Sequence, residues 1–146
     1  MTIDQNTRDV VIALVTVAGG FLTAVVVTQI GAGQSRRLER DRWRRELYAS
    51  LMRNTEELRD AARDLSNGDE PGDARIEEAR RGGYQATMEI RLVAPRMRGP
   101  TDALHHAAVW LFSRMCTGPT SQWGELDECY VKAYQAFIEA ARKDLG

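Results

Sequence analysis

Residues 10–34 contain no Asp, Glu, Lys or Arg, and six arginines (Arg36, Arg37, Arg40, Arg42, Arg44 and Arg45) follow almost at once. As a helix rising ~1.5 Å per residue, the uncharged stretch reaches about 37 Å, enough to cross a hydrocarbon core of about 30 Å with some tilt. The first structural expectation is therefore a single transmembrane helix over 10–34. A cleaved secretory signal fits less well. Such signals have a basic start and an apolar run of about 7 to 15 residues. Here Asp4 and Asp9 flank a lone Arg8, the apolar run is longer, and Gly31-Ala32-Gly33 is a poor cleavage site. No Cys closes the run, so lipoprotein processing has no acceptor.

Orientation follows from the flanking bases, because cytoplasmic flanks carry the excess of Lys and Arg. Arg8 alone precedes the span, whereas the six arginines follow it. Residues 1–9 are thus expected as a short extracytoplasmic tail, 35–45 as an Arg-rich juxtamembrane stalk, and 46–146 as a cytoplasmic domain. The expected localisation is the cell (inner) membrane, single-pass, amino terminus outside.

The formal charge of −1 conceals an uneven distribution. Six Arg meet only Glu39, Asp41 and Glu46 over 36–46, while 47–146 hold thirteen bases against sixteen acids. No general basic surface exists for nucleic acid. Among twenty basic residues only Lys132 and Lys143 are lysines, a bias typical of GC-rich coding. Cys116 and Cys129 match neither a CxxC nor a zinc-ligand spacing and are expected to be reduced in the cytoplasm.

Beyond residue 35 strand alternation is missing and Ala, Leu, Arg and Glu dominate, which reads as helix throughout. The membrane helix is expected to continue to about Leu65, with Leu47, Leu51, Asn54, Leu58, Ala61 and Leu65 on its core stripe. Ser66 to Gly72 is a strong stop. Asp73 is expected to cap a second helix with a stripe of Ile76, Ala79, Gly83, Ala86, Ile90 and Val93. Gly82-Gly83 weakens that helix by about 1 kcal/mol per glycine, so a kink or a close neighbouring helix is required. After a break at 95–100, Thr101 is expected to cap a third helix carrying Leu104, Ala108, Leu111 and Met115. Thr117-Gly118-Pro119 ends it. Thr120 or Ser121 then opens a fourth, with Leu126, Tyr130, Ala133, Phe137 and Ala141. Short connections make neighbours antiparallel. The expected fold is all-α: a transmembrane helix running into a cytoplasmic antiparallel four-helix bundle, its carboxyl end returning toward the membrane.

The membrane-surface and topology residues are Arg36, Arg37, Arg40, Arg42, Trp43, Arg44 and Arg45. Each base near an anionic leaflet contributes about 1 kcal/mol of attraction, so anionic lipid head groups are candidate partners. Glu39, Asp41 and Glu46 offset part of that charge as near-neighbour ion pairs. Trp43 and Tyr48 have amphipathic rings suited to the interface. Within the span, Thr16, Gly20, Ala24 and Thr28 form a small-residue ridge of the kind that lets two helices approach closely, so a homo-oligomer is a second candidate assembly. Asn54 on the core stripe resembles the polar layers that fix register in coiled coils.

Signals for catalysis are weak. His105 and His106 diverge by about 100° on a helix, so they cannot share a metal. Asp102 shares a face with His105, and Glu56, Asp60 and Asp64 form an acidic ridge, but the carboxylate and Glu-x-x-His set of a di-metal bundle is missing. Ser113 has no arranged base, and no phosphate loop, nucleophile elbow or glycine fingerprint occurs. Trp110, Phe112, Trp123, Tyr130, Tyr134 and Phe137 read as bundle core and its margins. No enzyme, cofactor or metal is expected.

The juxtamembrane run Arg36-Arg37-Leu38-Glu39-Arg40-Asp41-Arg42-Trp43-Arg44-Arg45-Glu46-Leu47-Tyr48-Ala49 resembles small single-pass membrane proteins of actinobacteria and their phages. In those proteins an apolar amino-terminal helix enters an Arg/Glu-rich segment, then a Trp and a Leu-Tyr-Ala step. The resemblance covers about residues 8–65. It implies a membrane location and a helical cytoplasmic domain, and transfers no functional residue. The expected function is a membrane-anchored interaction or regulatory module with a protein partner, its contact surface drawn from the acidic ridge and the exposed bundle faces. The alternative is a small self-associating membrane-perturbing or channel-type protein.

Overall fold

The computed structural model describes residues 35–146 in full, and the expectations for Thr16, Gly20, Ala24, Thr28 and the span 10–34 lie outside the described residues. Among the described residues no helix is long and apolar enough to cross a membrane. Four helices and no strand are present there: α1 (Gln5–Asn67), α2 (Asp73–Val93), α3 (Arg98–Thr117) and α4 (Trp123–Leu145). The chain divides into two units, Met1–Arg40 and Asp41–Gly146. Of the first, residues 35–40 are helical and exposed. The second is the four-helix unit described below, and it takes in Asp41 to Arg45 of the expected stalk.

Side-chain pairs define its topology. From α1 to α2, Arg44 meets Val93, Asn54 meets Gly82, and Glu57 meets Arg75, so the numbers run in opposite directions. Gly83 with His105 and Arg91 with Asp102 set α3 antiparallel to α2. Between α1 and α4, Tyr48 contacts Asp144, Thr55 contacts Tyr130, and Arg59 contacts Asp127. The up-down-up-down bundle expected from the short connections is what forms.

One apolar stripe per helix makes the core. Leu47, Leu51, Leu58 and Ala61 are buried on α1, with Ala79, Ala86 and Ile90 on α2. Leu104, Ala108, Leu111 and Met115 lie inward on α3, and Leu126, Tyr130, Phe137 and Ala141 on α4. The periodicity missed Tyr48, Thr55, Ala62 and Thr87, all buried. Tyr48 is not an interfacial aromatic: its ring meets Phe137 edge-on at 5.7 Å. Trp110, expected at the core margin, is 42% exposed. Position 110 falls outside the 104/108/111/115 stripe.

The helix ends differ from expectation in detail. Gly68 adopts φ 88 after α1, its N–H bonds Leu65 O at 3.1 Å, and the Asp69 N–H bonds Asp64 O at 2.9 Å. This is a Schellman stop, for which glycine removes the Cβ penalty. Asp73 does not cap α2: Gly72 does, with no side-chain bond, and Asp73 follows as an acidic residue in the first turn. The break at 95–100 is a 3-10 turn, Pro95–Met97, that drives Met97 into the core. Consequently α3 starts at Arg98, and Thr101 is a buried residue of its first turn rather than its cap. Pro100 fits there because the first helical N–H groups need no intrahelical acceptor. A second 3-10 turn, Thr120–Gln122, precedes α4, which opens at Trp123 rather than at Thr120 or Ser121.

Gly82-Gly83 marks a close approach between helices. A Cβ on Gly82 would lie 2.6 Å from Asn54 Oδ1, and one on Gly83 3.3 Å from His105 Nδ1. Asn54 sits at the bundle edge, its amide donating to Ser50 O at 2.7 Å, so its side chain is held where the new methyl would go. Gly82→Ala is accordingly expected to lose about 1–2 kcal/mol from overpacking. In an Asn54→Ala background the same change should gain up to about 1 kcal/mol of helix propensity. Equilibrium denaturation of the four-variant cycle measures this, and additivity would contradict the contact.

Candidate functional site

The arginine-rich end of the bundle holds the most connected polar cluster. Tyr48 OH donates to Asp144 Oδ2 at 2.6 Å, and Arg44 Nη1 reaches the same oxygen at 3.4 Å. Arg44 Nη2 donates to Val93 O at 3.3 Å, while its Nε is buried with no hydrogen-bond partner. Burial first, and then the bond to the Asp144 carboxylate, pushes the Tyr48 phenol well above its ordinary pKa. Of the arginines selected for membrane contact, Arg44 alone is half-buried, and it links α1 to the ends of α2 and α4. Arg36, Arg37, Arg40, Arg42 and Arg45 are exposed. Arg42 pairs with Glu46 at 3.0 Å. Trp43 remains 45% exposed.

Beside this cluster lies a cleft of about 580 Å³, lined by Arg44, Arg96, Lys143 and Asp144 over a floor that includes Ala94, Met97 and Ala140. Arg96 and Lys143 escaped the sequence reading because they lie some fifty and a hundred residues from Arg44. Only the return of α4 and the 3-10 turn after α2 brings all three together.

Farther along the bundle two of the three ridge carboxylates, Glu56 and Asp60, have side-chain partners. Glu56 accepts from Tyr130 OH at 3.2 Å and lies 3.7 Å from Arg59. Asp60 lies 3.6 Å from Arg63, and Arg75 pairs with Glu57. Arg59 is committed instead to a two-pronged pair with Asp127, at 2.7 and 3.0 Å. This planar geometry joins α1 to α4 more strongly than a single exposed contact would.

Asp102 is likewise occupied, accepting from Arg91 Nε at 2.8 Å. His105, on the same face, has a buried Nδ1 with no hydrogen-bond partner and packs against Gly83. Among the described residues no group of three His, Cys, Asp or Glu side chains is placed to hold a metal. Cys116 and Cys129 are both free and exposed. The chain matches no protein-family model, no curated protein and no solved structure.

Two outcomes test these contacts. Tyr48→Phe keeps the ring on Phe137 and removes only the hydroxyl, so unfolding should lose about 1.5–3 kcal/mol, the range for a bond to a charged acceptor. For His105, burial and then Arg91 lower the imidazole pKa, with Asp102 opposing. The neutral form is therefore favoured in the folded state. That stability is complete above the unfolded histidine pKa of about 6.5 and is lost as pH falls through the lower folded value. The melting temperature should drop on acidification from about pH 7 to about pH 5, and His105→Gln should flatten that part of the profile.

Proposed function

We propose that this protein is a membrane-anchored interaction module. Residues 10–34 cross the bilayer once, residues 1–9 lie outside, and the helical unit is held at the cytoplasmic face to bind or position another protein. The observation that carries this reading is the sequence of events from 10 to 45: an uncharged stretch of spanning length, then six arginines. The family resemblance of residues 8–65 points the same way.

The bundle contributes a second line of support. Asp144 bonds Tyr48 and Arg44, so the last turn of α4 lies beside the start of the unit. The acidic ridge is a weaker contact surface than its sequence suggested, since Glu56 accepts from Tyr130 and Arg63 lies beside Asp60. On α2, Tyr84, Met88 and Leu92 are exposed at successive i, i+4 positions, Tyr84 by 60% and Leu92 by 80%. Such a line of large apolar side chains fits the hydrophobic part of a protein contact.

Cross-linking the tagged full chain in intact native membranes tests the reading. One stoichiometric partner, absent with residues 1–45 alone, is expected. Tyr84→Glu should cut its yield about tenfold, equivalent to about 1.4 kcal/mol, without changing the melting temperature. Replacing residues 1–34 by an unrelated single-pass anchor should preserve activity, whereas deleting them should lower it through lost local concentration. Recovery of the protein only with itself would overturn the module reading. It would favour the self-associating membrane-perturbing or channel-type alternative, in which Gly20→Leu abolishes activity by disrupting the Thr16/Gly20/Ala24/Thr28 ridge.

A further inference from the structure

We propose that the cleft between Arg44, Arg96 and Lys143 binds a phosphate-bearing anion, and that its natural occupant is the head group of an anionic phospholipid. The lipid assignment rests on the anchored reading above; the anion chemistry rests on the cleft itself. Three cationic side chains from three separate elements converge there: Arg44 from α1, Arg96 from the 3-10 turn after α2, and Lys143 from the last turn of α4. Only one carboxylate, Asp144, shares the lining, and it already accepts from Tyr48 and Arg44.

Arg96 and Lys143 have no ion-pair partner among the described residues, and both are exposed. Arg44 faces the same cleft with its guanidinium already held by Asp144 and by Val93 O. Uncompensated like charges at one cleft raise the local potential and draw anions. Phosphate suits this set because its oxygens serve several donors at once, and both the guanidinium fork and the lysine ammonium bind it well.

The size of the cleft separates a head group from a bare ion. A volume of about 580 Å³ accommodates phosphate together with a glycerol-sized group, with the half-buried Ala140 on its wall. Volumes of this order are typical of small-molecule sites. At the same end of the bundle, Trp43 is 45% exposed. A tryptophan ring is suited to the head-group level of a membrane.

The test uses the full chain in maltoside micelles, titrated calorimetrically with dihexanoylphosphatidylglycerol and, separately, with inorganic phosphate. Arg96→Gln with Lys143→Gln removes two exposed charges, so the fold should persist with an unchanged melting temperature. Wild type should bind the lipid at least tenfold more tightly than the double variant. Raising salt should weaken wild type more steeply, because fewer charges remain in the variant. Inorganic phosphate should compete only at much higher concentration. If phosphate alone binds as tightly as the lipid, the lipid assignment is overturned and the site takes free phosphate. Equal binding by wild type and variant, or none by either, overturns the site altogether. Alkaline carbonate extraction of the same chains from native membranes tells the two ideas apart. Release into the supernatant defeats the anchored reading, whereas retention with no charge-dependent titration defeats the head-group site alone.

Discussion

The seam between α1 and α4 is the constraint on which the remainder of the bundle depends. Each helix buries a single stripe, and a stripe at the beginning of a chain has no sequential neighbour on its second side. The last helix has to supply it. Here the seam is built from contacts spaced one to two turns apart: Tyr48 with Phe137 and Asp144, Thr55 with Tyr130, and Arg59 with Asp127. Aromatic packing closes one part of the seam, and the two-pronged arginine pair ties α1 to α4 at another. With that seam closed, α2 and α3 are confined to the opposite side, where small residues dominate the α1–α2 contact.

Small residues at that contact explain an otherwise unfavourable sequence choice. A glycine pair costs helix propensity, yet Gly82 and Gly83 let α2 approach α1 and α3 closely enough to meet Asn54 and His105. The local loss is offset by close packing that a side chain would prevent. The same economy of space appears at Met97, where a 3-10 turn plugs the open end of the core with an unbranched side chain able to fill an irregular gap. That turn also places Arg96 on the cleft, so the packing of the bundle end and the chemistry proposed for it have one structural origin.

The helical class, the number of helices and most of the buried stripe were legible in the sequence, because a 3.6-residue period survives whatever the helix packs against, although Asn54, Leu65, Ile76, Val93 and Ala133 are only half-buried. The ends of the helices were less so. Thr101 looked like a cap because it follows Pro100, but the geometry of Pro95–Met97 moves the start of α3 upstream and turns the threonine inward. Tyr48 looked like an interface aromatic because it follows the arginines; the neighbouring Phe137 and Asp144 that draw it inward lie almost a hundred residues away. Arg44 was legible as one of six like residues, but nothing local distinguished it from Arg42 or Arg45.

What the sequence by itself determined is the segregation of this chain: a long uncharged stretch, an arginine cluster, and a helical remainder with one apolar stripe per helix. These follow from composition and short-range periodicity, which need no knowledge of distant residues. Tertiary structure alone decided which charges are used up and which are left over. Arg59 and Arg91 are consumed by Asp127 and Asp102, whereas Arg96 and Lys143 are brought beside Arg44 without partners. Charge compensation depends on distances between side chains, and in an antiparallel bundle those distances are set by the return of each helix rather than by spacing along the chain.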